Sequence, residues 1–240
     1  INNISDNALL KELQKRLKRN DEMATEIFHL KNELFEINNK LEASERFKSH
    51  FISNVTNELV NPVASLLAFS KFLHQTEVKD QENIGKFSKL IFQEAFEINF
   101  LLKNVFIAAK FESGKFTIEN TTFSLKELIN SIVNDFDHLL KEKNLEVKTE
   151  IEKQTNGDII TTDTEKLKVA IANILSNSIR YSNKNDKIIL KATLFDNTLK
   201  ISVRDFGIGI SHDQQDKVFE RFYRIDNSIN SENKGSGLGL

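Results

Sequence analysis

The sequence predicts two architectures in tandem: an all-α coiled coil leading into a dimeric four-helix bundle, then an α+β sandwich. Three observations predict this. Five of the eight glycines fall between Gly207 and Gly239 and the only proline is Pro62, so the first half is left to long helix. A heptad seam runs through the opening segment. After Gly114 the apolar spacing changes from the helical period to a mixture of helices and alternating strands.

Composition bounds the function. With 39% hydrophobic and 28% charged residues, the 240-residue chain has the make-up of an ordinary packed core. The apolar filler is phenylalanine, 19 residues against no Trp, and is expected to serve packing alone. A net charge of −2 gives no basic field for nucleic acid. The absence of cysteine removes disulfides, thiolate metal sites and thiol catalysis, and fits a cytoplasmic setting. No apolar run reaches the ~18 residues of a membrane span. The chain begins without Met and is expected to be a piece of a longer protein, with any membrane anchor outside these residues.

Taken in order, residues 6–72 lack glycine and carry the seam Met23, Ile27, Leu30, Leu34, Ile37, Leu41, Ser44, Lys48, Phe51 and Val55. Steps of four and three in alternation predict a parallel two-chain coil. Leu10, Leu13 and Leu17 keep the spacing but join it out of phase near Asn20. A second helix is expected from Gln81 to Phe111, its stripe of Ile84, Phe87, Leu90, Ile91, Phe92, Ala95, Ile98, Leu101, Leu102, Val105 and Ala108 wide enough for a bundle. Two helices make half a four-helix bundle, so a homodimer is the economical solution. The expected domains are a coiled coil at 1–46, a helical hairpin at 47–113 and a sandwich at 114–240.

Within the sandwich, "KFTIEN" reads as a short strand. "SLKELINSIVNDFDHLLKEKN" reads as one helix, with Ser124 capping it three residues before Glu127. "LEVKTEI" alternates and "GDIITTD" follows. A helix entered at Asp163 or Thr164 runs through "NILSNSIRYS", and "KIILKATLFDNTLKISVRDFG" is a hairpin.

Three clusters carry chemistry. Asn173 and Asn177 share one helix face, and a carboxamide oxygen is a hard ligand suited to Mg2+. Arg180 is placed to meet a phosphate, and Tyr181 offers a ring to a base. Next, the strand ending in Asp205 runs into Gly207 and Gly209, setting a carboxylate beside backbone that a ligand can approach closely; Asp205 can accept from an exocyclic amine. Finally, "GSGLGL" places Gly235, Gly237 and Gly239 where their N–H groups can form an anion nest. It matches neither a Walker loop nor a dinucleotide fingerprint. Phe219 and Phe222 can anchor an otherwise polar lid before it.

In this order the clusters resemble the N, G1, F and G2 boxes of the sensor histidine kinases, whose ATP-binding domain has the Bergerat (GHKL) α/β-sandwich fold. "FKSHFISNVTNELVNP" resembles that family's dimerisation and phosphoacceptor helix, and the likeness spans roughly residues 45–240. The resemblance implies ATP with Mg2+ as cofactors, Asn177 helped by Asn173 on the metal, Arg180 on phosphates, Tyr181 against the base and Asp205 on adenine, with Gly235, Gly237 and Gly239 along the phosphates. It also implies a homodimer and a response-regulator receiver domain as partner. Gyrase relatives place a glutamate base four residues before the magnesium asparagine. Here that position is Asn173, which takes no proton, so bound ATP is set to pass its γ-phosphate on or simply to be held.

Asn57 stands where the family has its histidine nucleophile. A carboxamide nitrogen does not attack phosphorus, and Glu58 has no imidazole to assist. Pro62 falls where the family's helix kinks. Val60 replaces the usual Arg, and Asn61 fits the pattern. Asn57 is open to three readings: an engineered block, a natural pseudokinase or structural signalling module, or a response-regulator phosphatase in which Asn61 positions water. His50 and His74 read as solvated surface histidines. The family's domain continues past "GSGLGL" with a helix and two strands, so the polypeptide is expected to continue.

Overall fold

The computed structural model describes residues 6–77, 80–152, 159–195 and 198–220, together with 223, 225 and 237. Two units are recognised, Ile1–Ser53 and Asn54–Leu240.

Helix α1 (Asp6–Gln75) passes without a break through Pro62. In the first unit the seam residues Met23, Ile27, Leu30, Leu34, Ile37 and Leu41 are all about half exposed or more. In the second unit α1 turns into α2 (Gln81–Glu112), which Asp80 caps by accepting from the Asn83 N–H at 3.1 Å. Phe72 and Phe87 stack across this hairpin at 5.5 Å.

The remainder is a mixed sheet with helices on one face. Strands β2 (Glu146–Glu152), β4 (Lys187–Phe195) and β5 (Thr198–Arg204) lie in the order β2-β4-β5, the first pair parallel and the second antiparallel. Alternation along β4 sends Ile188, Leu190 and Ala192 into the core, all fully buried. Helices α3 (Leu125–Asp135) and α5 (Thr164–Tyr181) cover that face with Ile129, Ile132 and Leu175. Burying each such side chain contributes about 1.5–3 kcal/mol. The Ser124 hydroxyl caps α3 by accepting from the Glu127 N–H, as the sequence predicts.

Two expectations are corrected. "KFTIEN" is not a strand. Strand β1 is Thr121–Ser124, paired antiparallel with β3 (Ile159–Thr162) in the register Thr121 to Thr162. The Glu119 N–H instead donates to the Asp163 carboxylate at 2.9 Å. The long helix expected after Ser124 is two: α3 ends at Phe136 and α4 (Asp137–Lys143) follows. The Phe136 ring is buried and meets Phe96 and Phe100 of α2 edge-on, at 5.3 and 5.7 Å. Three of the phenylalanines, Phe96, Phe100 and Phe136, therefore join α2 to the sandwich.

Candidate nucleotide site

Helix α5 carries the first cluster, and both its ends are fixed. At the start, the Asp163 carboxylate accepts from the Lys166 and Glu119 N–H groups and pairs with the Lys166 ammonium. The Lys166 side chain foremost, then these N–H groups, hold its carboxyl down to about 2. At the far end the Lys143 ammonium donates to the carbonyls of Ile179, Arg180 and Ser182 at 2.9, 2.6 and 3.2 Å. A cation on the last carbonyls opposes the helix dipole. Burial foremost, then the Arg180 charge, lowers the Lys143 pKa.

The second cluster abuts this end. Gly207 lies so close to Tyr181 that a Cβ would sit 2.0 Å from the Tyr181 carbonyl oxygen. The Ile208 N–H donates to the same oxygen at 3.4 Å. One Asp205 oxygen accepts from the Gly207 N–H at 3.1 Å, and the other has no partner among the described residues. Phe206 lies under two cations, Arg204 at 5.1 Å and Lys187 at 5.3 Å. Asp205 and Tyr181 are thus brought to one place by backbone contact. Gly209 and Gly237 take the left-handed conformation, at φ +70° and +65°, which glycine adopts without strain. Gly235 and Gly239 lie outside the described residues, as does Phe222; Phe219 is exposed.

The residues present fit a nucleotide with its metal, with one exception. Asn177 is half-buried and has no hydrogen-bond partner among the described residues, so its oxygen is open to Mg2+. The Arg180 guanidinium is likewise without a hydrogen-bond partner among them, and Tyr181 is 40% exposed. Asn173 is different. It is buried, its Oδ1 accepts from Asn104 Nδ2 and its Nδ2 donates to Asn104 Oδ1, both at 2.8 Å. Its amide is committed to α2 and cannot serve a metal while that pair holds. A recess of about 460 Å³ beside it, walled by Ile107, Phe116, Ile118 and Leu167, is mainly apolar. On α1, Asn57 and Asn61 are exposed and Glu58 is half-buried.

Sequence reasoning missed Asn104, Glu97 and Lys143. The first two are polar residues inside an otherwise apolar stripe, a signal that each has a buried partner. Glu97 lies half-buried on α2; burial raises its carboxyl pKa, and the nearby Arg180 charge opposes that rise.

A mixed sheet lies under helices, with Asn177, Arg180 and Tyr181 in the last turns of α5 and the loop after Asp205 against its end through Gly207. Residues 162–240 match the family of histidine kinase-, DNA gyrase B- and HSP90-like ATPases. The chain is a relative of the sensor histidine kinases. It is 28% identical to the sensor protein GacS of Pseudomonas syringae pv. syringae, over 97% of this chain and 27% of GacS. It is 27% identical to the signal transduction histidine-protein kinase BarA of Escherichia coli K12, over 84% of this chain and 22% of BarA. The chain therefore spans about a quarter of the length of these relatives. Full-length ShkA, solved in complex with AMPPNP, shares the fold with a TM-score of 0.50 at 18% identity, covering 81% of this chain and 38% of that one.

Proposed function

We propose that this chain is the core of a two-component sensor kinase that binds ATP with Mg2+, with Asn57 halting transfer at the acceptor position. The observation that carries it is the junction of α5 with the Asp205 loop. Among the described residues Asn177 has an unused amide, Arg180 a guanidinium without a hydrogen-bond partner and Asp205 a free oxygen, and the loop that follows Asp205 meets the Tyr181 backbone. Asn177 would hold the metal, Arg180 the phosphates, and Asp205 the adenine amine. Asn173 would help only after releasing Asn104. Bound Mg2+ would neutralise charge on the phosphates. Gly235, Gly237 and Gly239 would offer N–H groups on the phosphate side.

The half-exposed seam of α1 supports a second copy of this chain as the partner of residues 1–46. The hairpin of residues 47–113 would complete the dimer and present Asn57 to a response-regulator receiver domain. No helix among the described residues is long and apolar enough to cross a membrane. A cytoplasmic location, with any anchor elsewhere in the polypeptide, is part of the proposal.

Calorimetry with a non-hydrolysable ATP analogue tests the site. Binding should need Mg2+ and fall at least about ten-fold, or 1.4 kcal/mol, in Asn177→Ala and in Asp205→Ala. Parent-like binding in both variants would remove the site assignment. Asn57→His should then take up acid-labile phosphoryl label, because Glu58 and the nucleotide residues are already in place. Silence in Asn57→His, and in Asn57→His/Val60→Arg, would favour the pseudokinase reading. On that reading the exposed Asn61, one turn beyond Asn57, positions water for receiver dephosphorylation, and Asn61→Ala should abolish that activity.

A further inference from the structure

Lys143 belongs to none of the three clusters read from the sequence, yet its contacts converge on the candidate site. Its ammonium donates to the carbonyls of Ile179, Arg180 and Ser182 at 2.9, 2.6 and 3.2 Å. An ammonium has three N–H donors and no acceptor, so all of its donors are spent on backbone. The carbonyl missing from this series is that of Tyr181, and the loop after Asp205 takes it. The Ile208 N–H donates to it at 3.4 Å, and Gly207 packs against it so closely that no Cβ fits. Successive carbonyls at the end of α5 are thus divided between α4 and the Asp205 loop. The clasp is anchored at its own base. The Asn185 N–H donates to the Lys143 carbonyl at 3.0 Å, and Asn144 Nδ2 donates to Asn185 Oδ1 at 2.8 Å. Among the described residues, Asn144 and Asn185 are the non-glycine residues at positive φ, 51° and 64°, a conformation that asparagine takes more readily than most side chains.

We propose that Lys143 is a positioning residue for base selection: it fixes the end of α5 on which the Asp205 loop is seated, and so sets the preference for adenine over guanine without itself meeting the nucleotide. This rests on the nucleotide reading above, in which Asp205 accepts from the adenine amine. A short chain of contacts places the free Asp205 oxygen. The other oxygen accepts from the Gly207 N–H at 3.1 Å. Gly207 is seated on the Tyr181 carbonyl, and Lys143 holds the carbonyls on either side of it. Firm placement matters because both bases carry an exocyclic amine. Adenine has its donor at the six-position, where guanine has an acceptor oxygen that a carboxylate repels; guanine has its amine at the two-position, further along the ring edge. A carboxylate held within about 0.5 Å accepts from one base, and one free to drift accepts from either. Asn177 and Arg180 lie within α5, so the metal and phosphate end of the site depends on the clasp far less than the base end does.

Calorimetry with Mg2+ and non-hydrolysable analogues of ATP and of GTP tests this on the parent, Lys143→Met and Lys143→Arg. The quantity read is the ratio of the two dissociation constants. A merely structural loss lowers the binding-competent fraction, which weakens both analogues by one factor and leaves their ratio unchanged. The parent should prefer the ATP analogue by at least about ten-fold. Lys143→Met should reduce that ratio by about five-fold or more, and Lys143→Arg, which keeps the charge and its donors, should recover part of it. Should Lys143→Met not fold, Lys143→Gln, whose amide keeps two N–H donors, carries the same comparison, with a fall of about two-fold or more. A parent-like ratio in the variant read would overturn the positioning role while leaving the nucleotide reading intact. A parent that binds neither analogue, or both alike, would overturn both.

Discussion

Replacing Gly207 by alanine tests how the site is assembled. The added carbon would lie 2.0 Å from the Tyr181 carbonyl oxygen, 2.7 Å from the carbonyl carbon and 3.1 Å from the Ser182 nitrogen. All three are backbone atoms, and Lys143 pins the carbonyls around them. Non-bonded carbons keep roughly 3.5 Å from their neighbours, so the loop must retreat by more than about 1 Å. Overpacking of this kind costs about 1–3 kcal/mol, or roughly 2–12 °C in thermal midpoint. The retreat also breaks the bond from the Ile208 N–H to Tyr181 and separates Asp205 from the end of α5. Gly209 is the internal control. Its φ is +70° but nothing lies within 4 Å of an added carbon, so alanine there meets only left-handed strain of roughly 1–2 kcal/mol. Thermal unfolding and analogue calorimetry on both variants separate strain from site geometry. Both should melt lower, and Gly207→Ala should lose about ten-fold or more in affinity and more than Gly209→Ala. If Gly207→Ala melted and bound like the parent, the close approach to Tyr181 would not be what builds the site.

Two further outcomes follow from single side chains. Lys143→Met leaves the carbonyls of Ile179, Arg180 and Ser182 without their cation and should lower stability by about 1–2 kcal/mol in denaturant titration; Lys143→Arg should recover part of it, and an unchanged midpoint in Lys143→Met would refute the capping role. His138 lies between Phe92 and Phe96, its Nε2 buried without a hydrogen-bond partner among the described residues, and burial foremost pushes its pKa below the ordinary value of 6.5 despite the Asp135 carbonyl, Glu142 and Asp137, while Lys89 adds to the fall. Its contribution is therefore fully present above pH 6.5, where folded and unfolded rings are both neutral. Stability should fall as the pH drops below 6.5, where the unfolded ring takes a proton that the folded one refuses. His138→Phe should flatten that part of the curve in pH-dependent thermal unfolding.

Much of the fold was legible because its signals are local. The apolar period of α1 and α2 needs no partner to be read. The caps at Ser124 and Asp163 lie three residues from the groups they satisfy, Glu127 and Lys166. The β4–β5 hairpin closes over a short connection. The failures required distant information. Residues 115–120 alternate as well as β1 does, but only Thr121–Ser124 has a strand, some forty residues on, to pair with. The break at Phe136 leaves no local trace, since the apolar period continues through Leu139 and Leu140. It is set by the α2 rings that Phe136 must meet.

The site divides along the same line. Asn177, Arg180, Tyr181 and Asp205 were singled out from residue type, spacing and the family resemblance, and the structure leaves the Asn177 amide and one Asp205 oxygen without a partner among the described residues. The partner of Asn173 was not legible in this way. Asn173 was assigned to a metal because it shares a helix face with Asn177, yet its amide belongs to Asn104, which lies 69 residues earlier on another helix. Spacing on one helix states which side chains point together, not what lies opposite them. The missing half was written in α2. Glu97 and Asn104 interrupt its apolar stripe two turns apart, the same separation as Arg180 and Asn173 on α5. A polar residue in an apolar stripe costs free energy unless it finds a partner. Asn104 finds that partner in Asn173, and the reciprocal amide pair fixes where α2 meets α5.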